Sequence, residues 1–492
     1  MGTDIDQTEF SDEDYQQFRR TLHHELLQLE DLLQQPGFGE GPPSFGAELE
    51  LYIIDENGQP KAINTELHQD MNDDQLTLEL NRFNLEYNFK PVTQCERPFS
   101  DMHDHMLSAL ERLQSLAAKR NARVLPIGIL PTLHCEDMGA HAITDIPRYH
   151  ALAKQLREKR GEDFHVHIDG FDSVDIHWSD VSLEGANTSF QFHYRVNPRD
   201  FADAYNAAQL VTPLVLALAA NSPLFLGQQL WHETRIALFK QSIDTRLDDA
   251  LDKHLPARVL FGLGWVRDSI HEHIAEGAYL FEPLLPISPA PTNEKANQAP
   301  ELAALRLHQG SIWSWNRPIY DPADGGHLRI ELRALPAGPT PADMLAYAAL
   351  HSGLIRGLQE KMRELLPAMP FRYAEKNFYR AAKHGLDAQL IWPNPQRGRL
   401  EERPVVQLLQ CLLPIAEDGL AKLGVCSTEI QSQLQLVRHS LEEKTNGARW
   451  QILSYRHLKR RLNREEALQK LVERYYDYSS KNIPVYQWSL ED

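Results

Sequence analysis

The stretch FGAELELYII, Phe45 to Ile54, decides how this chain folds. Phe45, Ala47, Leu49, Leu51 and Ile53 fall on one side of a two-residue period, and Glu48, Glu50 and Tyr52 on the other. That alternation is the signature of a half-buried strand, and DENGQ supplies the turn after it. Glu48 and Glu50 then stand about 7 Å apart on one face. Like charges so placed repel unless they are solvated or bridged by a cation, and hard cations such as Mg²⁺ prefer oxygen ligands. Taken alone, the strand is equally compatible with an ordinary solvated face.

Three further segments repeat the division. In NTSFQFHYRV, Thr188, Phe190, Phe192, Tyr194 and Val196 form one face, and Gln191, His193 and Arg195 the other. In HLRIELRAL, Leu328, Ile330, Leu332 and Ala334 oppose His327, Arg329, Glu331 and Arg333. In NLEYNF, Asn84, Glu86 and Asn88 share a face. Faces that mix His or Arg with an acid or amide suit metal, phosphate and carboxylate recognition together. Glu79 precedes Glu86 by seven residues, so one regular strand would aim them oppositely. They converge only if the chain turns or bulges between them.

Helical spacing marks residues 14–35 (Phe18, Leu22, Leu26, Leu29, Leu33) and the run Met102, Met106, Leu110, Leu113, Leu116. Helices are also expected in PRYHALAKQLREKRG, stopped by Gly161, in 200–226 and in PADMLAYAALHSGLIRGLQEKMREL. ARVLPIGIL, FHVHIDG and the DIHW segment read as strands, residues 246–310 resist assignment, and from about 366 the signals are nearly all helical. Strands and helices do not alternate regularly, so an α+β fold with an antiparallel sheet is expected rather than a doubly wound parallel sheet. The division expected is 1–365, a sheet-containing catalytic domain opened by a helix, and 366–492, a mainly helical region packed on it.

Among 492 residues, 69 acids against 50 Lys and Arg give a formal charge of −19. This disfavours nucleic acid or an anionic membrane surface as the main partner. It leaves a nucleotide open, because metal ions and local cations reverse the sign inside a cleft. The most apolar stretch, 210–226, is broken by Pro213, Asn221 and Pro223 and is too short to span a bilayer. The acidic, polar start reads as no secretory signal. Cys95, Cys135, Cys411 and Cys426 are scattered without a C-x-x-C pair. A cytoplasmic protein is expected. G-x-x-x-x-G-K-[ST], G-x-S-x-G and H-E-x-x-H are all missing, and the Gly37, Gly39, Gly41 spacing lacks the strand that a dinucleotide fingerprint needs.

In order along the chain, these motifs resemble the glutamate–cysteine ligase superfamily, in particular its bacterial carboxylate–amine ligase branch. The residues carrying the resemblance are Gly46-Ala47-Glu48-Leu49-Glu50, the acid pair Glu79 and Glu86, and Gln191-Phe192-His193-Tyr194. They continue with Ala220-Asn221-Ser222-Pro223, Glu233-Thr234-Arg235, Ile330-Glu331-Leu332-Arg333, and Lys376 to Arg380 with Gly385-Leu386-Asp387. The matches cover about residues 45–390, with a vaguer similarity around NGARWQ (446–451).

The resemblance implies a glutamine-synthetase-like fold, in which a curved antiparallel sheet forms a funnel for ATP and two or three Mg²⁺ ions. It implies transfer of the γ-phosphoryl group to a carboxylate and attack of an amine on the resulting acyl phosphate. It implies Glu48, Glu50, Glu79, Glu86 and Glu331 as metal ligands, with His193 a ligand or phosphate neighbour. Arg235, Arg333 and Arg380 would hold carboxylate or phosphate oxygens, with Arg333 and Arg235 serving the chemistry and Gln191 and Tyr194 beside the substrate. Glu79 stands where some relatives carry Asp, and His165, His167 and His177 map onto no family site. The H-x-H of His165 and His167 reads as alternate histidines on a solvated strand face rather than as a zinc pair. Arg148-Tyr149 and the Trp313, Trp315, Arg317 cluster are expected to shape the substrate pocket, the tryptophans being equally readable as core.

The activity expected is ATP-dependent joining of a small-molecule carboxylate, glutamate first, to cysteine or another small amine. The rival readings are a guanidino phosphotransferase or metal-dependent hydrolase of the same fold, and a non-catalytic nucleotide sensor. Neither the amine acceptor nor the oligomeric state is encoded in any motif above.

Overall fold

The computed structural model describes residues 9–93, 96–247, 255–287, 299–394 and 397–490; Cys95 and parts of the unassigned 246–310 segment lie outside them. Its centre is a seven-stranded sheet of β1 (Ser44–Ile54), β2 (Leu76–Leu78), β3 (Asn84–Thr93), β4 (Arg123–Leu125), β5 (Phe190–Val196), β6 (Asn316–Asp321) and β7 (His327–Leu332). The lateral order is β6-β7-β5-β1-β3-β2, with β4 pairing β1, and every pairing is antiparallel. The fold is α+β around a curled antiparallel sheet, as expected.

The apolar faces read from the sequence make the core. Phe45, Leu49, Phe190, Phe192, Leu328 and Ile330 are buried in one cluster with side chains of the helices Pro98–Ala118, Phe201–Ala219 and Pro341–Gln359. The first helix, Asp12–Leu33, opens on a Ser11–Asp14 capping box and buries Phe18, Leu22, Leu26 and Leu29. The helices Val405–Lys422 and Ser427–Glu442 join the same core, whereas Gly447–Leu458 and Arg464–Ser479 pack into a second one with Tyr52, Leu125 and Val166. Helices 341–359 and 405–422 cross at a contact that only glycine allows. A Cβ on Gly419 would lie 1.9 Å from the Gly353 carbonyl oxygen.

Several expectations need correction. ARVLPIGIL forms a strand only over Arg123–Leu125, because Pro126 has no N–H to continue the ladder. The 200–226 helix ends at Ala219, and the expected 341–365 helix breaks after Gln359 and resumes at Met362–Leu365. Within the region read as helical, Gln389–Asn394 and Arg399–Pro404 form a β-hairpin. No helix among the described residues is long and apolar enough to cross a membrane.

Candidate active site

Strand register gathers the polar faces. Glu48 lies opposite Asn88 on one side and Gln191 on the other, Glu50 opposite Glu86, and His193 opposite both Gly46 and Glu331. Glu79 reaches the same face by the turn that the seven-residue spacing demanded. β2 runs up to Leu78, the chain reverses, and β3 returns with Thr77 opposite Glu86. Two groups result, each with one ligand atom per residue within 4.8 Å of the others: Glu48, His193, Glu331, and Glu50, Glu79, Glu86.

In the first group, His193 Nε2 lies 3.1 Å from Glu48 Oε1, and Arg329 Nε meets His193 Nδ1 at 3.0 Å. Glu331 is fully buried, with Arg317 Nε at 2.6 Å on one oxygen and Arg333 Nη1 on the other. Arg333 Nη1 also donates to Gln191 Oε1. In the second group, Glu50 accepts from the Ser189 backbone N–H at 2.6 Å and from Gln191 Nε2 at 2.8 Å. Glu86 accepts from Asn88 Nδ2 at 2.9 Å and Thr77 Oγ1 at 3.2 Å. Gln191 therefore couples the two groups, its amide nitrogen on Glu50 and its oxygen on Arg333.

The two groups differ in charge balance. Burial would raise Glu331, but Arg317, Arg333 and His193 overcome it and hold the carboxyl far below its usual range. Burial is likewise outweighed at Glu48 by His193, and this carboxyl stays below its ordinary value. In the second group burial wins. It raises Glu50 against the pull of Arg235 and Arg333, and it raises Glu79 strongly with the help of Glu86, Glu50 and Glu184. Burial together with Glu48 and Glu50 pushes Glu86 up to about 8. Three crowded carboxyls share only the pull of Arg235 and Arg333 on Glu50, which leaves the group with a deficit of positive charge. Five carboxylates and one imidazole are the oxygen-rich donor set that Mg²⁺ accepts, so the residues fit that ion.

Arg235 is buried beside these groups. Its Nη1 donates to Glu233 Oε1 at 3.0 Å and to the Ala334 carbonyl at 3.2 Å. Glu233 in turn accepts from the Asn221 N–H and the Ser222 hydroxyl, at 2.8 and 2.7 Å. The ANSP and ETR motifs thus form one buried clamp. Trp315, under the Arg235 guanidinium at 6.0 Å, is core, packed on Phe239 and Phe378.

Two predicted residues are not brought to this face. Tyr194 points into the core and stacks on Phe45 with ring centroids 5.8 Å apart, as its place in the alternation demands. Arg380 pairs with Glu402 at 2.8 Å and with the Gln389 carbonyl at 3.2 Å, on the 389–404 hairpin. Its neighbours do related work: Asn377 bonds Ile391 in both directions, and Asp387 pairs with Arg449 of the NGARWQ segment at 3.2 Å.

Sequence reading missed Glu184 and gave Tyr149 and Arg317 only a general place in shaping the pocket. Glu184, in the short turn Glu184–Ala186, is pushed up to about 8 by burial and by Glu50. Its one sequence signal is an acid within an otherwise apolar and small stretch, VSLEGAN. Tyr149, whose hydroxyl donates to the Leu78 carbonyl at 2.7 Å, has its phenol raised by burial and then by Glu79 and Glu86. Arg317, expected only to shape the pocket, is an ion partner of Glu331.

Comparison with known proteins finds relatives in sequence and in fold. A Sorangium cellulosum protein whose name carries the designation glutamate–cysteine ligase 2 is 24% identical over 346 residues, 68% of this chain and 71% of that protein. A Mycobacterium sp. strain KMS protein of like designation is 29% identical over 133 residues, which is 26% of this chain and 34% of its own length. This chain thus spans about a third of that mycobacterial relative. The crystal structure of Francisella tularensis glutamate–cysteine ligase in complex with AMP has the same fold, with a TM-score of 0.55 at 13% identity over 92% of this chain and 91% of that one. Residues 44–417, which include every acid of the two groups, match glutamate–cysteine ligase family 2, and the chain belongs to that family.

Proposed function

We propose that the protein is an ATP-dependent ligase that joins the carboxylate of an amino acid, glutamate first, to a small amine such as cysteine. The observation that carries this reading is the pair of adjoining acidic groups on one sheet face, Glu48–His193–Glu331 and Glu50–Glu79–Glu86, bordered by Arg333. Family membership and the AMP bound to the Francisella ligase support the choice of an adenine nucleotide.

Those six residues would hold two or three Mg²⁺ ions, which supply charge neutralisation between nucleotide phosphates and an incoming carboxylate. The chain's own part is positioning. Arg333, fixed by Gln191 and Glu331, presents a guanidinium beside the acidic groups, where it can meet developing charge on phosphoryl oxygens. The Glu233 clamp fixes the Arg235 guanidinium on the side of Glu50. On these polar faces Ser189 and Thr77 carry aliphatic hydroxyls, and that of Thr77 donates to Glu86. In this reading, which follows the family resemblance, the substrate carboxylate is the attacking group and an acyl phosphate the intermediate.

The test is ADP release with ATP, Mg²⁺ and glutamate across a panel of amines. ADP formed in proportion to an amide product supports the ligase. ADP formed without amide supports a phosphotransferase, product without ADP supports a hydrolase, and nucleotide binding without turnover supports a sensor.

A further inference from the structure

The hairpin Phe164–Asp169 and Ser173–Trp178 stands apart from the acid-lined sheet and carries a ligand set of another kind. Its register places His165 opposite His177 and His167 opposite Asp175. Directly opposed residues point to the same side, so the three histidines, Asp169 and Asp175 share one face. Val166, Ile168 and Val174 on the other face are buried in the second core, which fixes which side meets solvent.

On the open face the side chains converge. The His165 and His177 rings stack with centroids 4.4 Å apart and planes within 6°. Asp175 Oδ1 lies 2.7 Å from His165 Nε2, and its Oδ2 lies 3.2 Å from His167 Nδ1. His167 Nε2 reaches Asp169 at 3.2 Å. One ligand atom from each of His165, Asp175 and His177 falls within 4.8 Å of the others. A tetrahedral ion with bonds of about 2.0–2.1 Å needs donors roughly 3.3 Å apart. These side chains are partly or largely exposed and can close that gap by rotation.

We propose that this hairpin binds one divalent transition-metal ion of the zinc class through His165, Asp175 and His177. His167 holds the free oxygen of Asp175 in place, as partners of metal ligands characteristically do. Two imidazoles and one carboxylate select zinc, cobalt, nickel or copper over Mg²⁺, which distinguishes this site from the oxygen-rich groups on the sheet. Pairing of the histidines with aspartates on a merely solvated face accounts for the three His–Asp contacts. It does not pair His177, whose ring nitrogen falls within 4.8 Å of the ligand atoms of His165 and Asp175.

The position gives the ion a structural consequence. His167 N–H donates to Gln241 Oε1 at 2.6 Å, and Gln241 lies in the last turn of the helix Arg235–Ser242. An ion bridging both strands would stiffen the hairpin against the helix that delivers Arg235.

The experiment uses untagged full-length protein, freed of metal by chelation and held in excess Mg²⁺, titrated calorimetrically with ZnCl₂. The His165→Asn/His177→Asn double variant and the single variant Asp175→Asn are compared with wild type. The expected result is one fewer zinc bound by the double variant and at least about tenfold weaker binding at that site in Asp175→Asn. Glu86→Gln, which alters only the sheet groups, should retain the site. Equal zinc stoichiometry and affinity in wild type and the double variant would overturn the proposal, as would wild type taking up no zinc. Because the readout is zinc binding alone, the outcome is independent of the ligase reading.

Discussion

Glu50 and Glu86 occupy directly opposed positions on β1 and β3, with Glu79 brought beside them by the β2–β3 turn. Opposed like charges destabilise a sheet, and here burial adds to the repulsion and pushes Glu86 up to about 8.

This relationship fixes a dependence on pH. The unfolded chain ionises Glu86 near 4.5, whereas the folded, metal-free protein keeps it protonated to about 8. Its contribution to stability is complete below 4.5 and is lost as pH rises through about 8. Melting of the metal-free protein should fall from pH 5 to pH 8, and added Mg²⁺ should raise it more at pH 8 than at pH 6. Calorimetry at pH 7 in buffers of different ionisation enthalpy should register proton release on Mg²⁺ binding. Uptake of Mg²⁺ without proton release would show that these carboxyls are already ionised.

Glu50→Gln and Glu331→Gln should separate stability from turnover. Each removes most ATP turnover under the proposed function. Glu50→Gln relieves packed negative charge and should leave the metal-free melting temperature unchanged or higher. Glu331→Gln strips the fully buried partner from Arg317 and Arg333, a loss of about 3–5 kcal/mol for a broken buried ion pair. Thermal melts of the two variants side by side decide the point. Equal melting temperatures would show that Glu331 does not balance those arginines.

Arg333→Lys keeps a charge but cannot reach Gln191 and Glu331 together with a planar donor. A loss of roughly 2–3 kcal/mol in transition-state binding is expected, on the scale of charge-assisted hydrogen bonds. The measurement is kcat/KM for ATP turnover, and activity within about a factor of two of wild type would remove Arg333 from the chemistry.

Reaction through an acyl phosphate predicts the fate of oxygen. With ¹⁸O in the reacting carboxylate of the substrate, one labelled oxygen should appear in the released phosphate, read by mass spectrometry. Unlabelled phosphate accompanying amide product would exclude carboxylate attack on the γ-phosphorus.

The sequence by itself determined the faces. A two-residue period assigns each side chain of a strand to one side irrespective of its partners. For that reason Glu48, Glu50, Glu86, Gln191, His193, Glu331 and Arg333 were all legible as one kind of surface, and Tyr194 belonged to the core by the same rule. What tertiary structure alone decided was adjacency. The order β6-β7-β5-β1-β3-β2 joins segments almost 300 residues apart, and no local pattern encodes which strand lies beside which. The turn that brings Glu79 to Glu86, the arrival of Glu184 from a short loop, and the diversion of Arg380 to Glu402 all depend on where the backbone reverses. The arginines show the reason most directly. A guanidinium on a long, flexible stem takes the carboxylate that packing places within its reach. Arg317 and Arg333 therefore acquired their roles from Glu331, and Arg235 from Glu233, only once the strands and helices had assembled.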